Sequence, residues 1–311
     1  MISVFGHKSP DTDSAGSAII WAWYLNEIRK TPAEAVLLGP PNTEAAHVLR
    51  VWGFDTPRII EDVSPGDEVV LVDTNNPGEL VPSIHEARIV GIIDHHMLAG
   101  GLSTRTPIEV TIRPLACTAT ILHDLIGADL ARAPRAIRGI MLSCILSDTL
   151  GFRSPTTTPH DRAVAEGLAA GLGLSIDEHC AGLFAARSDL SAHSDEAVLR
   201  MDAKKYPIDG HPLLISVQET TAPETLLARK RGLMAAMPAI ARAEGAERVL
   251  LFIVDILREE ATLLVPDEET RAIAEASFGT RVEGDCLVLP GIMSRKKQIL
   301  PALRLAPASA A

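Results

Sequence analysis

The stretch from Gly6 to Ser17, which reads GHKSPDTDSAGS, constrains the fold of this chain more than any other part of its sequence. It follows the short apolar run Ile2 to Phe5, which predicts a buried strand, and it precedes apolar residues that predict a helix over residues 18–30. A strand-to-helix turn of this kind lies at the carboxyl edge of a parallel sheet, where ligands bind. The sequence therefore places three potential ligand groups at that edge: His7, Asp11 and Asp13.

The chemistry of this turn leaves two interpretations open. One imidazole and two carboxylates within seven residues form an oxygen-rich set that suits Mn²⁺, Co²⁺, Mg²⁺ or Zn²⁺. Alternatively, Asp11 closes a turn after Pro10, and Asp13 or Ser14 caps the helix that follows. The turn alone does not decide between a metal site and ordinary helix capping.

Short apolar strands alternate with helical segments through the first part of the chain. Strands predicted at 68–72 and 87–93 contain unbroken apolar runs, as expected in a sheet covered on both faces. The alternation predicts βαβ units, and hence an α/β domain over residues 1–187 with a parallel sheet and helices on both faces. A polar stretch at 188–195 is the predicted linker to a second domain.

The remainder, residues 196–311, predicts a smaller α/β domain with a mixed sheet. It contains a long helical segment at 223–244 between two groups of strand-like segments. Two final strands are predicted to flank the turn Glu283-Gly284-Asp285. The strand-like segments before that turn are 204–208, 213–218, 249–256 and 261–265.

Composition and charge exclude several classes of protein. A chain of 311 residues is long enough for two domains that each bury a core. The net charge of −11 argues against general nucleic-acid or membrane binding, but it permits a small anionic substrate. The four cysteines are far apart, so we expect neither a zinc ribbon nor a disulfide framework. Because no signal peptide and no apolar run of transmembrane length is evident, we expect a cytoplasmic protein.

Further acidic and imidazole side chains follow predicted strands or end a predicted helix. If the strands are parallel, these groups converge on the turn that carries His7. Several carboxylates at one place repel each other unless cations bind between them, so the pattern predicts a multinuclear metal centre. Each group also has an ordinary alternative role, as a turn residue, a packed histidine or a helix end. The groups are Asp73, Asp94, His95, His96 and Asp148.

A basic loop near the C-terminus supplies the opposite charge. The run Ser294-Arg295-Lys296-Lys297 places three consecutive cations on a loop that begins with glycine, and Lys204 is a further candidate. Arginine binds phosphate oxygens in a fork and lysine acts as a point charge, which suits a phosphate ligand. A solvated charge run is the alternative. The sequence contains neither a Walker A motif nor a G-x-G-x-x-G motif.

These residues resemble the DHH phosphoesterase superfamily and, within it, the family II, manganese-dependent inorganic pyrophosphatases. The resemblance runs from about Phe5 to Leu303. The D-H-H triplet and D-x-D alone would indicate only the superfamily, whereas SRKKQ together with SDTL…SPTTT is more specific to the pyrophosphatases. The matching motifs are GHKSPDTDS, LVD at 71–73, DHH at 94–96, CTAT at 117–120, SDTLGFRSPTTT at 147–158 and SRKKQ at 294–298.

The resemblance implies hydrolysis of pyrophosphate to two phosphates by a hydroxide that bridges two divalent metals in a cleft between the domains. It implies two Mn²⁺ or Co²⁺ ions per subunit, Mg²⁺ accompanying the substrate, a DHHA2-like substrate-binding domain at 196–311 and a homodimer. The implied metal ligands are His7, Asp11, Asp13, Asp73, His95 and Asp148, with Asp73 and Asp148 bridging. The groups implied to bind substrate and take part in catalysis are His96, Lys204, Arg295 and Lys296.

The chain departs from the family pattern at two places. Gly151 follows SDTL, where a larger apolar residue is common. The family usually reads D-H-N-E after the third strand, whereas this chain reads Asp73-Thr74-Asn75-Asn76. The implied ligands are unchanged, but groups around them differ, and such groups tune metal affinity. Two other functions therefore stay open: a DHH-type nucleotide or oligonucleotide phosphoesterase or exopolyphosphatase, and a metal-dependent (poly)phosphate sensor without turnover.

Overall fold

A computed structural model describes residues 1–305 of the chain, so residues 306–311 of the predicted second domain lie outside the described part. The chain divides into two compact units, Met1–Arg187 and a second unit that begins at Ser188. The first unit contains a six-stranded sheet and the second a five-stranded sheet. The predicted α/β class, with a parallel sheet followed by a mixed sheet, is confirmed.

The first unit is built on parallel strands in the order β3-β2-β1-β4-β5-β6. Short 3₁₀ helices lie at Pro77–Glu79, Pro82–His85 and Gly127–Arg132. The strands are β1 Ile2–Phe5, β2 Ala33–Leu37, β3 Arg58–Ile59, β4 Glu68–Val72, β5 Arg88–Asp94 and β6 Glu109–Ile112. The α-helices are α1 Thr12–Glu27, α2 Thr43–Trp52, α3 Thr118–Ile126, α4 Arg135–Asp148, α5 Pro159–Leu172 and α6 Ile176–Arg187.

The strand order changes direction at β1, which pairs with β2 on one side and with β4 on the other. Such a switch point opens a crevice at the carboxyl ends of the strands. The sheet is covered by α1 and α3 on one face, while Phe5 and Leu71 on the other face pack with Leu80 and Ile84 of the 77–85 segment. Side chains that follow β1, β4 and β5 therefore meet at one edge of a rigid, covered sheet.

The first helix begins at Thr12 rather than at residue 18. Asp11 is its N-cap, because Asp11 Oδ1 accepts the backbone N–H of Ser14 at 3.0 Å, so neither Asp13 nor Ser14 has that role. The polar first turn is buried, which apolar patterning could not indicate. Gly6 permits the close approach of this turn and of β4, since a Cβ there would lie 2.1 Å from Ser14 Oγ and 2.9 Å from the Val72 carbonyl oxygen.

The second unit has the strand order β11-β10-β9-β8-β7. Only β8 and β9 are parallel, and the other neighbours are antiparallel. The strands are β7 Ala203–Ile208, β8 His211–Thr220, β9 Arg248–Asp255, β10 Glu260–Leu264 and β11 Cys286–Pro290. The α-helices are α7 Asp195–Met201, α8 Pro223–Ala228, α9 Lys230–Ala243, α10 Glu268–Phe278 and α11 Leu300–Ala302. A π-helical turn spans Arg295–Ile299.

Two predicted elements of this unit differ from the structure. The helical segment at 223–244 is interrupted at Arg229, whose guanidinium donates to the Asp195 carboxylate and to the Leu190 carbonyl. Of the two strands predicted around Glu283-Gly284-Asp285, only the second forms, because the Val282 N–H is bonded to the Glu275 side chain instead of to a strand. The first difference lies at a side-chain contact between residues distant in the sequence, and the second lies at a bond between residues seven apart.

The polar stretch at 188–195 is held within the second unit. The Ser188 hydroxyl is hydrogen-bonded to the Thr220 hydroxyl at 2.8 Å, and α7 begins at Asp195. Among residues 1–305, no helix combines the length and the apolar character needed to cross a bilayer.

Candidate metal centre

Asp73 lies at the centre of the clustered acids and imidazoles. It follows β4, is 2% exposed, and has a φ of 58°, in the left-handed region that aspartate tolerates better than most residues. Its Oδ2 lies 3.4 Å from His7 Nε2, and its Oδ1 lies 3.4 Å from His95 Nε2. The Thr118 hydroxyl also donates to Oδ1, at 3.1 Å. One buried carboxylate thus joins groups that follow β1 and β5.

The two aspartates of the first turn face this carboxylate in different ways. Asp11 Oδ2 lies 3.7 Å from His7 Nε2 and remains partly exposed. Asp13 is buried, and its oxygens accept the backbone N–H groups of Thr118 at 2.7 Å and Ala119 at 3.1 Å. These amides form the start of α3, where the helix dipole favours a negative charge. Asp13 is therefore fixed by α3 as well as by its own helix.

Asp148 completes the cluster as the last residue of α4. One of its oxygens lies within 4.8 Å of an Asp13 oxygen and of Cys117 Sγ. A cavity of about 190 Å³ opens beside these groups and is lined by Asp11, Asp73, His95, His96, Ala116, Asp148 and Thr156. The structure therefore brings all six predicted ligands, and His96, to one place in the first unit.

Asp94, the first residue of the D-H-H triplet, has a role that the sequence did not reveal. It is fully buried and accepts the His96 Nδ1–H at 2.9 Å, the Asn75 side-chain amide at 2.5 Å, and the backbone N–H groups of His95 and His96. His95 Nδ1 lies 3.1 Å from the Leu115 carbonyl, which makes Nδ1 the donor. In the neutral imidazole, His95 Nε2, the nitrogen near Asp73, then has the lone pair that a metal ion needs.

The electrostatics of the cluster show strong pairing around Asp73. Burial alone would lower the pKa of His7, but Asp11 and Asp73 raise it to about 10. Burial would likewise lower the pKa of His95, but Asp73 raises it to about 9. The two imidazoles in turn hold the pKa of Asp73 well below its usual range, although burial acts against this.

Asp13 and Asp148 lie among other carboxylates, which disfavours their charged forms in metal-free protein. Burial, followed by repulsion from Asp73, raises the pKa of Asp13 to about 7. Burial and the neighbouring aspartates raise the pKa of Asp148 well above its usual range. Burial also raises the pKa of the Cys117 thiol, so this sulfur is a neutral thiol rather than a thiolate ligand. Four carboxylates and two imidazoles without a thiolate fit hard divalent cations such as Mn²⁺.

Mn²⁺ binding is expected to release protons from metal-free protein at neutral pH. The raised pKa values of His7 and His95 mean that both imidazoles carry a proton there, and a metal ion must displace it. Because protons compete with the ion, Mn²⁺ affinity is expected to rise as the pH rises. Proton release in weakly buffered solution, and the Mn²⁺ dissociation constant at pH 6 and 8, test this. Binding without proton release would contradict it.

The departure at Thr74 leaves the ligand positions intact. Thr74 is buried, and its hydroxyl donates to Glu79 Oε2 at 2.8 Å. The Asn76 side chain accepts the Gly78 N–H and starts a 3₁₀ helix. Asn75 is the residue of this turn that reaches the site, through its bond to Asp94. The changed positions therefore support the loop after β4.

The predicted phosphate-binding cations lie in the second unit. Lys204 is exposed on β7, and Lys296 is exposed on the π-helical turn. Arg295 is mostly buried and donates to the carbonyl and carboxylate oxygens of Asp202 at 2.8 and 2.9 Å. The loop is shaped by Gln298, whose Oε1 accepts two backbone N–H groups. Within this unit, Arg295 is thus held against Asp202, which lies two residues before Lys204 in the sequence.

Comparison with known proteins shows the family to which this chain is similar. The model of the DHH family N-terminal domain matches residues 1–147, and that of the DHHA2 domain matches residues 181–306. The chain is 40% identical to a Deinococcus radiodurans protein, with 97% of this chain and 98% of that protein covered. It is 34% identical to a Lactobacillus acidophilus protein, with 96% of each covered. Both bear the name probable manganese-dependent inorganic pyrophosphatase.

One solved structure is also similar to this chain over nearly its whole length. It is that of a Methanococcus jannaschii protein assigned to the family II inorganic pyrophosphatases, which is 32% identical to this chain. The TM-score is 0.63, and the similarity covers 97% of this chain and 98% of the other.

Proposed function

Since the chain belongs to the family of manganese-dependent inorganic pyrophosphatases, we propose that it hydrolyses inorganic pyrophosphate to two phosphates. The observation that carries this proposal is the Asp73 carboxylate, buried between His7 and His95 at the carboxyl edge of the sheet. The surplus of carboxylates around it requires cations. The substrate is a small anion that such cations attract.

The proposed metal ligands form two overlapping groups that share Asp73. His7, Asp11 and Asp73 have ligand atoms within 4.8 Å of one another and would hold one ion. Asp13, His95 and Asp148, with Asp73, would hold the second ion. When bound, the two ions would polarise the phosphoryl oxygens and lower the pKa of the attacking water.

His96 is the proposed substrate-binding group of the first unit. Its side chain is half exposed at the cavity, and Asp94 raises its pKa by accepting the Nδ1–H. A protonated imidazole in this position donates a hydrogen bond to a phosphate oxygen and adds positive charge beside it. Buried Asp94 fixes the ring orientation, so His96 loses little conformational freedom when it binds substrate.

The basic groups of the second unit are proposed to bind the leaving phosphate. Arg295, Lys296 and Lys204 supply positive charge where negative charge accumulates as the P–O bond breaks. Asp202 holds the Arg295 guanidinium in one orientation before substrate arrives. Lys204 and Lys296 are exposed, so their side chains can change conformation when substrate binds.

The same proposal includes the metal content, the location and the oligomeric state of the protein. Each subunit would bind two Mn²⁺ or Co²⁺ ions, and Mg²⁺ would accompany pyrophosphate. The protein would act in the cytoplasm as a homodimer.

Phosphate release tests the proposed activity directly. With Mn²⁺ present, pyrophosphate is compared with tripolyphosphate, adenosine bisphosphate and short oligonucleotides. Preferred hydrolysis of pyrophosphate is the expected result. Faster hydrolysis of the nucleotides or of polyphosphate would favour a DHH-type phosphoesterase or exopolyphosphatase. Binding of pyrophosphate without phosphate release would favour a sensor.

The donor set also predicts which metals restore activity. After removal of metal with a chelator, Mn²⁺ or Co²⁺ is expected to restore full activity, whereas Mg²⁺ alone supports less. The reason is that two imidazoles bind these transition-metal ions more strongly than they bind Mg²⁺. The measurement is phosphate release against the concentration of each metal. Full activity in Mg²⁺ alone, with no gain from Mn²⁺, would contradict the assignment.

A further inference from the structure

Glu44 of α2 is a buried carboxylate that lies outside the candidate metal centre. It is 1% exposed, and its Oε2 lies 2.5 Å from Nε of Arg187 on α6. Its Oε1 accepts the Thr12 hydroxyl at 2.7 Å and also accepts the Ser147 hydroxyl. The Ser147 hydroxyl in addition lies 2.8 Å from an Arg187 guanidinium nitrogen. One ion pair therefore joins α1, α2, α4 and α6.

The two hydroxyl groups that Glu44 binds lie directly beside proposed metal ligands. Thr12 separates Asp11 from Asp13 at the start of α1, and Ser147 precedes Asp148 at the end of α4. Carboxylate oxygens of Asp13 and Asp148 lie within 4.8 Å of one another, so these helix ends repel each other when both groups are charged. A link between Thr12 and Ser147 opposes this repulsion and keeps the helix ends together.

Burial of the Glu44 carboxylate is costly, although Arg187 remains 34% exposed. A charge taken out of water loses solvation that the attraction to its partner often only balances, so an apolar pair would stabilise the fold as well. The hydroxyl bonds are what an apolar pair could not provide. The pair thus has a geometric effect, on the spacing of two helix ends, that packing alone does not explain.

We propose that Glu44, held by Arg187, is a positioning residue that sets the spacing of Asp13 and Asp148 for metal binding. The inference rests on the metal centre of the proposed function. Glu44 touches neither substrate nor ions and acts through Thr12 and Ser147. Its effect is therefore expected in metal affinity, with a smaller effect on turnover once the site is full.

Glu44→Gln is the first test. The amide keeps the shape of the side chain, but it removes the charge that holds Arg187 and leaves the two hydroxyls a weaker, neutral acceptor. The Mn²⁺ dissociation constant of metal-free protein, measured by equilibrium dialysis, is expected to rise about 10- to 100-fold, the range for losing a group that supports metal ligands. At saturating Mn²⁺, kcat is expected to return to within a few-fold of wild type.

Glu34→Gln is the matched control. Glu34 on β2 also pairs with an arginine, Arg58, through bonds of 3.2 and 2.7 Å, but it contacts no helix end of the centre. Its Mn²⁺ affinity is expected to equal that of wild type. If both variants lose the same affinity, or if Glu44→Gln loses only thermal stability, Glu44 has a structural role alone and the inference is wrong.

Thr12 provides a second test that does not depend on the folding of Glu44→Gln. Thr12→Val removes the hydroxyl and is expected to weaken Mn²⁺ binding, whereas Thr12→Ser keeps the hydroxyl and the affinity. Equal affinity in the valine and serine variants would overturn the inference. Because equilibrium dialysis needs no substrate, this result does not depend on the outcome of the phosphate-release assay that tests the proposed reaction.

Discussion

Asp73→Asn is expected to abolish Mn²⁺ binding at the first unit. It is also expected to lower kcat/KM for pyrophosphate on the order of a thousandfold or more, because the charge contacts that both ions would make with the transition state are weakened together. The carboxylate lies between His7 and His95 and is proposed to contact both ions. Asparagine also tolerates the left-handed backbone at this position, so the loss reports the missing charge and not a strained turn. The measurements are bound Mn²⁺ after gel filtration and phosphate release.

Asp67→Asn is the control for this change. Asp67 precedes β4, at the opposite end of the strand from Asp73, and its exposed carboxylate accepts only the nearby Ser64 N–H. Normal Mn²⁺ content and activity are expected there. Full Mn²⁺ occupancy in Asp73→Asn would show that the ions are held elsewhere.

The positions of the proposed ligands followed from patterns that are local in the sequence. Apolar runs predicted β1, β4 and β5, and a parallel sheet brings their carboxyl ends to one edge, so the meeting of His7, Asp73 and His95 could be expected. Asp148 was identified as a helix end for the same local reason. The structure places these groups together, and the sequence motifs had already indicated their chemistry.

The groups that orient the ligands could not be expected in the same way. Asp94 belongs to a known motif, but its bond to Asn75 depends on two loops that follow separate strands. The Thr118 amide reaches Asp13 across 105 residues, and Glu44 reaches Ser147 across 103. Periodicity carries no information on such pairs, because each depends on how packed elements are placed. The buried polar start of α1 was missed for a related reason, since Thr12 binds Glu44 of α2 and Asp13 binds the first amides of α3 instead of water.

Lys296→Ala is expected to lower kcat for pyrophosphate by about a hundredfold, the usual scale for losing one transition-state charge contact, while Mn²⁺ binding stays near wild type. Lys296 is exposed in the second unit, which supplies none of the proposed metal ligands, so the variant separates substrate chemistry from metal binding. It is a cleaner test than Arg295→Ala, because loss of Arg295 would also leave the Asp202 carboxylate unpaired.

Lys297→Ala is the matched control, since it removes the same charge from the next residue of the same turn. Lys297 has no proposed contact with the substrate, so its kcat is expected to stay within a few-fold of wild type. Equal losses of kcat in both variants would show that Lys296 acts only through the general positive charge of the loop, an effect that salt screens. Loss of Mn²⁺ from Lys296→Ala, or a near-normal kcat/KM, would contradict a role for the second unit in binding the leaving phosphate.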